Sequence, residues 1–182
     1  MNPELEKKLI AKYPELYSEH DKPPTESLMC FGFECGDGWY DLIDCLSACI
    51  NHRVDSDIEH EILLRKILTL RKIFVGWRNG WKSKWWWRGV LHNIKRYRYP
   101  VDVDFYFVHA VQVKEKFGGL RFYVHNAGDE IHGMISMAEQ MSFKICEKCG
   151  KPGSLHKRGG WLKTLCTKCA KPIEYKKCKG EN

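Results

Sequence analysis

Cys146-Glu147-Lys148-Cys149 is followed, after sixteen residues beginning with Gly150, by Cys166-Thr167-Lys168-Cys169. This is a C-x2-C…C-x2-C arrangement, the strongest chemical signal in the chain. Four thiolates in two tight pairs suit a tetrahedral metal ion, with one zinc as the default occupant. Two residues between the cysteines let each pair turn and present both sulfurs to one ion. Gly150 can take the positive φ that closes such a turn. Arg158-Gly159-Gly160 lies midway between the pairs, where a hairpin would bring them together. A closed shell of four cysteines leaves no position for substrate, so its expected work is structural.

Three other constellations could do chemistry. Between Trp77 and Tyr99 the chain interleaves Trp77, Trp81, Trp85, Trp86 and Trp87 with Lys82, Lys84, Arg88, Lys95, Arg96 and Arg98. Cations neutralise phosphates and exposed aromatic rings stack on unpaired bases, so this segment suits nucleic acid. It equally suits a protein interface, because three adjacent tryptophans cannot all face one way. Glu34, Asp37, Asp41 and Asp44 form an acidic turn in which Mg²⁺ and a nuclease reaction could be housed. Helix capping explains Asp37 and Asp41 more simply, and no base or nucleophile stands near. Lys114, Lys116, Arg121 and Tyr123 alternate with apolar residues, giving one polar face that could grip an anion or pair across strands. Cys30, Cys35, Cys45 and Cys49, with His52, would make a second metal site. Cys45 and Cys49 fall on an apolar stripe, however, and read as small buried hydrophobes. No P-loop, GxGxxG, GxSxG or HExxH pattern occurs.

These residues need elements to position them. Periodicity predicts an amphipathic helix over Pro3 to Tyr17 and a second over Trp39 to Ile50, with Leu42, Ile43, Leu46, Cys49 and Ile50 inward. Ser56 and Glu59 form a capping-box pattern, which predicts a separate helix carrying Leu63, Ile67, Leu70 and Phe74. Phe105 to Lys116 and Leu120 to His125 flank Phe117-Gly118-Gly119 and read as a β-hairpin. Asp129 to Ser142 reads as a helix with Ile131, Met134, Ile135, Ala138 and Met141 inward.

The expected fold is α+β: a helical N-terminal half, a central antiparallel hairpin or small sheet, and a C-terminal four-cysteine module. That module is a zinc ribbon or a treble clef, and Pro172 soon after Cys169 favours the ribbon. Expected boundaries are 1–142 for the α+β domain, 143–175 for the metal module and 176–182 for a basic tail. The chain has 182 residues, is 43% hydrophobic and carries a net charge of +7. That is enough apolar content for a core, and a mild preference for polyanions. A charged opening without a signal-like apolar run, and no apolar stretch of membrane-spanning length, predict a soluble protein of a reducing cytoplasm with no membrane partner.

Three blocks carry a resemblance. They are Phe31-Gly32-Phe33-Glu34-Cys35-Gly36-Asp37-Gly38-Trp39-Tyr40, Gln112 through Tyr123, and Cys146-Glu147-Lys148-Cys149-Gly150 through Gly160-Trp161 to Cys166. Together they resemble small bacteriophage and prophage proteins of unassigned activity. The resemblance implies an accessory protein that recognises a host macromolecule, either a host-takeover factor or an anti-defence inhibitor. The alternatives are a nucleic-acid-binding zinc protein and a divalent-metal nuclease.

Overall fold

A computed structural model describes residues 1–78 and 107–178, the side chains of residues 68–78 excepted. The chain divides into two compact units, residues 1–53 with 107–182, and residues 54–106. The first unit holds both the α+β part and the four-cysteine segment.

Helix α1 (Pro3–Lys12) opens with Asn2 as N-cap, its side chain accepting from Glu4 N at 2.9 Å, and Pro3 in the first turn. It stops five residues before the expected end, because Pro14 cannot continue it. Short 3₁₀ turns at Ser18–Asp21 and Leu28–Phe31 lead to β1 (Phe33–Glu34). A further turn, Asp37–Trp39, runs into α2 (Tyr40–Arg78). One helix therefore replaces the two expected. Residues 51–55 contain neither Gly nor Pro, so the Ser56 capping pattern has no break to cap. Leu42, Ile43, Leu46 and Ile50 are buried as the period requires. Cys45 and Cys49 are exposed instead of inward.

Strand β2 (His109–Lys116) pairs antiparallel with β3 (Gly119–His125) and parallel with β1, giving the order β1-β2-β3. Val113 and Phe122 are cross-strand partners on the buried face. Tyr17 meets Phe33 edge-on, with ring centroids 5.0 Å apart, and completes this core with Leu9, Met29 and Trp39. Helix α3 (Asp129–Ser142) covers the outer edge of β3. Ser142 Oγ accepts from Leu120 N at 2.8 Å and Glu139 Oε1 from Phe122 N at 3.1 Å. Those N–H groups are thus satisfied without a further strand. Ile131, Ile135 and Ala138 are buried as expected, Met134 is half-buried, and Met141 is exposed together with Met137.

The C-terminal segment has its own sheet. β4 (Ser154–Arg158) and β5 (Trp161–Leu165) form a hairpin over Gly159-Gly160, and β6 (Lys176–Lys177) pairs with β4 at His156 and Lys157. The expected basic tail therefore begins inside the sheet, and residues 179–182 lie outside the described ones. A four-residue helix, α4 (Thr167–Ala170), follows β5. Among the described residues no helix is long and apolar enough to cross a membrane.

Candidate metal centre

Two local turns build the site, each closed by the backbone. In the first, Cys146 O accepts from Cys149 N at 3.3 Å and from Gly150 N at 2.9 Å, with Gly150 at φ 73°. In the second, Cys166 O accepts from Cys169 N at 3.1 Å and from Ala170 N at 3.0 Å, as α4 begins. The β4–β5 hairpin brings the turns together, and the four sulfurs lie within 4.8 Å of one another. A tetrahedral ion with metal–sulfur bonds of about 2.3 Å requires sulfurs about 3.8 Å apart. Cys149 Sγ and Cys166 Sγ stand at 3.7 Å. The residues present thus fit a metal ion. Among the described residues this is the one such group of His, Cys, Asp or Glu.

The Cys169 N–H holds the Cys166 thiol down to about 6. Burial, and then the neighbouring sulfurs, push Cys169 up to about 12, and burial raises Cys146. Four clustered thiols cannot all ionise on their own, whereas a divalent ion deprotonates every sulfur that it binds.

The first turn is gripped by the rest of the unit. Gly38 N donates to Glu147 O at 2.8 Å, and Trp39 Nε1 donates to Ile145 O at 2.9 Å. A Cβ on Gly38 would stand 2.2 Å from Cys146 O and 2.4 Å from Gly150 N; one on Gly36 would stand 2.3 Å from Glu147 O. Both glycines are there because two backbones touch. Glu147 is buried inside the pair and takes Lys163 Nζ at 2.8 and 3.0 Å. Burial works against the Lys163 charge, yet Glu147 and then Glu115 raise its pKa overall. The β2–β3 tip docks on the same segment, where Gly118 O accepts from buried Thr164 Oγ1 at 2.6 Å. The three sequence blocks singled out above therefore meet around one structure.

The other expected sites fare differently. Lys114 faces Arg121, and Gln112 faces Tyr123, across the β2–β3 ladder, so the polar face exists. Lys114 Nζ sits 5.7 Å over the Tyr123 ring, while Arg121 turns to Glu139 at 3.7 Å. Lys116 is exposed beside Phe117. Lys82, Lys84, Trp85, Trp86, Trp87 and Arg88 lie outside the described residues. The acidic turn is dispersed: Asp37 Oδ1 accepts from Asn2 N at 2.6 Å, Asp44 from Lys12 at 2.8 Å, and Glu34 from Gln112 at 3.1 Å. Cys35 is buried, and burial pushes its thiol up to about 12.

Sequence reasoning passed over one feature. Residues 143–178 carry ten Lys or Arg against two Glu, leaving twenty against twenty-one acidic residues elsewhere. The whole positive excess of the chain sits in the metal segment, and nine of those ten cations are exposed. Counting charge by segment would have found it. Trp161, 75% exposed at the start of β5, is a lone aromatic in a short strand, and no period or motif in the sequence sets it apart.

No family model matches the chain, and neither curated proteins nor solved structures show a match.

Proposed function

We propose that this chain is a non-enzymatic nucleic-acid-binding protein built on one structural zinc ion. The carrying observation is the location of charge: the +7 excess is confined to the segment folded around four cysteines, with an exposed tryptophan at its hairpin tip. Zinc is the ion that four thiolates in tetrahedral array select by default. The order of turn, hairpin and helix, with the second cysteine pair in the first turn of α4, favours a short treble clef over a ribbon. The resemblance to phage and prophage proteins supports an accessory role inside a bacterial host cell. A nuclease has less support, since Asp37, Asp44 and Glu34 are engaged with separate partners.

A host protein as target is the second reading, favoured by Met137 and Met141, exposed one turn apart on α3. Salt separates the two. Expression in a bacterial host and assay of the purified chain for metal, nucleic acid and protein is the test. Nuclease-sensitive material whose log affinity falls against log salt with a slope of about −3 or steeper means four or more phosphate contacts. A stoichiometric protein retained at high salt overturns the nucleic-acid reading.

A further inference from the structure

Resting on that reading, we propose that the nucleic acid is single-stranded and lies across the β2–β3 turn and the β4–β5 hairpin on which that turn docks, with Trp161 and Phe117 stacking on its bases. Phe117 and Gly118 form the two-residue loop between β2 and β3, with φ of 55° and 82°. Positive φ at both positions is the pattern that favours Asn-Gly. A bulky ring in the first position is disfavoured by the local backbone. The turn is nonetheless fixed from both sides, because Gly118 N donates to Glu115 Oε1 at 2.7 Å and Gly118 O accepts from Thr164. Packing gives the ring nothing in return, since Phe117 remains 67% exposed. An aromatic held in a disfavoured conformation and left in water points to a partner.

The residue that carries the second ring lies close by in the fold. A Cβ on Gly118 would lie 3.4 Å from Lys163 N and 3.5 Å from the Leu162 carbonyl carbon, and Trp161 precedes Leu162 in β5. At a strand rise near 3.3 Å, the two ring-bearing residues arise within roughly 10 Å of each other. Lys116 Nζ is 5.5 Å from the Phe117 ring, while Arg158, the cross-strand partner of Trp161, turns its guanidinium to Ile173 O at 3.0 Å and over the Tyr175 ring. Exposed rings on a surface rich in exposed cations match a strand whose bases are free and whose backbone is anionic. A duplex hides its base faces, and α4, at four residues, is too short to read a groove.

The test uses the full metal-loaded chain with a labelled oligothymidylate of about twenty nucleotides and a duplex of equal length. Trp161→Ala and Phe117→Asn are the variants, with metal content and melting temperature recorded for each. Each is expected to weaken the oligothymidylate by roughly 5- to 150-fold. Duplex binding and the salt slope should stay unchanged. Phe117→Asn should melt no lower than the wild type, because Asn tolerates the turn. Wild-type affinity for the oligothymidylate in either variant, or an equal loss on the duplex, overturns the two-ring platform while the nucleic-acid reading stands. Absence of salt-dependent binding to both probes removes that reading and this inference together.

Discussion

The two cysteine pairs have the same spacing and close the same kind of turn, yet they live in different surroundings. Cys146 is buried, and its turn is overlain by Gly36, Gly38 and Trp39 from the other end of the chain. Of its two inner residues Glu147 is buried and bound to Lys163, and Lys148 is exposed. The second pair opens a four-residue helix, and its inner residues Thr167 and Lys168 are exposed. Spacing alone specifies the ligands. Surroundings decide how far the loss of one ligand spreads. Through Cys146 and Glu147 the first pair is a joint between the four-cysteine segment and the core, while its Cys149 is exposed; Cys166 and Cys169 of the second pair are half-buried and complete the cluster.

Removing a ligand is therefore the largest effect. On the proposed function the four cysteines hold zinc, and a structural zinc contributes on the order of 10 kcal/mol to the fold that it closes. Cys146→Ser and Cys166→Ser should each abolish metal binding, read as metal released per chain. The contrast lies in the reach of the damage. Cys146→Ser should also expose Trp39, whose indole is bonded one residue before that cysteine, whereas Cys166→Ser should leave Trp39 fluorescence closer to native. Equal responses would show that the first pair is no joint.

Protons compete with the metal for the same sulfurs, and the sign follows from the thiols. Cys146 and Cys169 are raised, so near neutral pH they hold protons that a bound ion must displace, while Cys166, lowered to about 6, has already lost its own. At least two protons should be released per ion. Apparent affinity should then rise with pH by about a hundredfold per unit between roughly pH 7 and 9, and fall on acidification. Competition titration against a chromophoric chelator at several pH values measures it.

Much of this was legible in the chain and part was not. The cluster of four cysteines, the Gly159-Gly160 hairpin and α3 follow from spacing and period, because each is a local pattern. The single helix α2 was not legible: a Ser56–Glu59 capping box looks the same whether or not the chain breaks before it. Cys45 and Cys49 misled because apolar period cannot see which flank of a stripe is covered. The contact of Gly36 and Gly38 with the first cysteine turn joins residues more than a hundred positions apart, and no local rule reports it. The two glycines marked a turn, and their second purpose needed the fold.

Backbone contact at the joint gives the next effect. Gly38→Ala places a methyl against three backbone atoms that cannot swing aside, an overpacking of about 1–3 kcal/mol or somewhat more. Gly160→Ala, in the hairpin between the pairs, meets nothing within 4 Å and should change stability by less than about 0.5 kcal/mol. Thermal melting of the two metal-loaded variants checks the pair. Similar melting points would mean that the Gly38 contact yields easily.

The inner residues of the pairs sharpen the contrast to its smallest scale. Glu147→Ala leaves the half-buried Lys163 ammonium without its closest carboxylate and should cost about 1–3 kcal/mol. Lys168→Ala removes an exposed cation from between the cysteines of the second pair, where the expected change in stability is under about 0.5 kcal/mol. Its effect belongs to binding. If the exposed half of the metal segment contacts phosphate through Lys168, the slope of log affinity against log salt should become shallower by about 0.7 on a single strand. Stability and salt slope measured on both variants place each residue on its own side of the comparison. On the proposed function Glu147 acts on the fold through Lys163, and Lys168 acts on the nucleic acid through its charge. A Lys168→Ala protein that melts early with an unchanged slope would reverse that assignment.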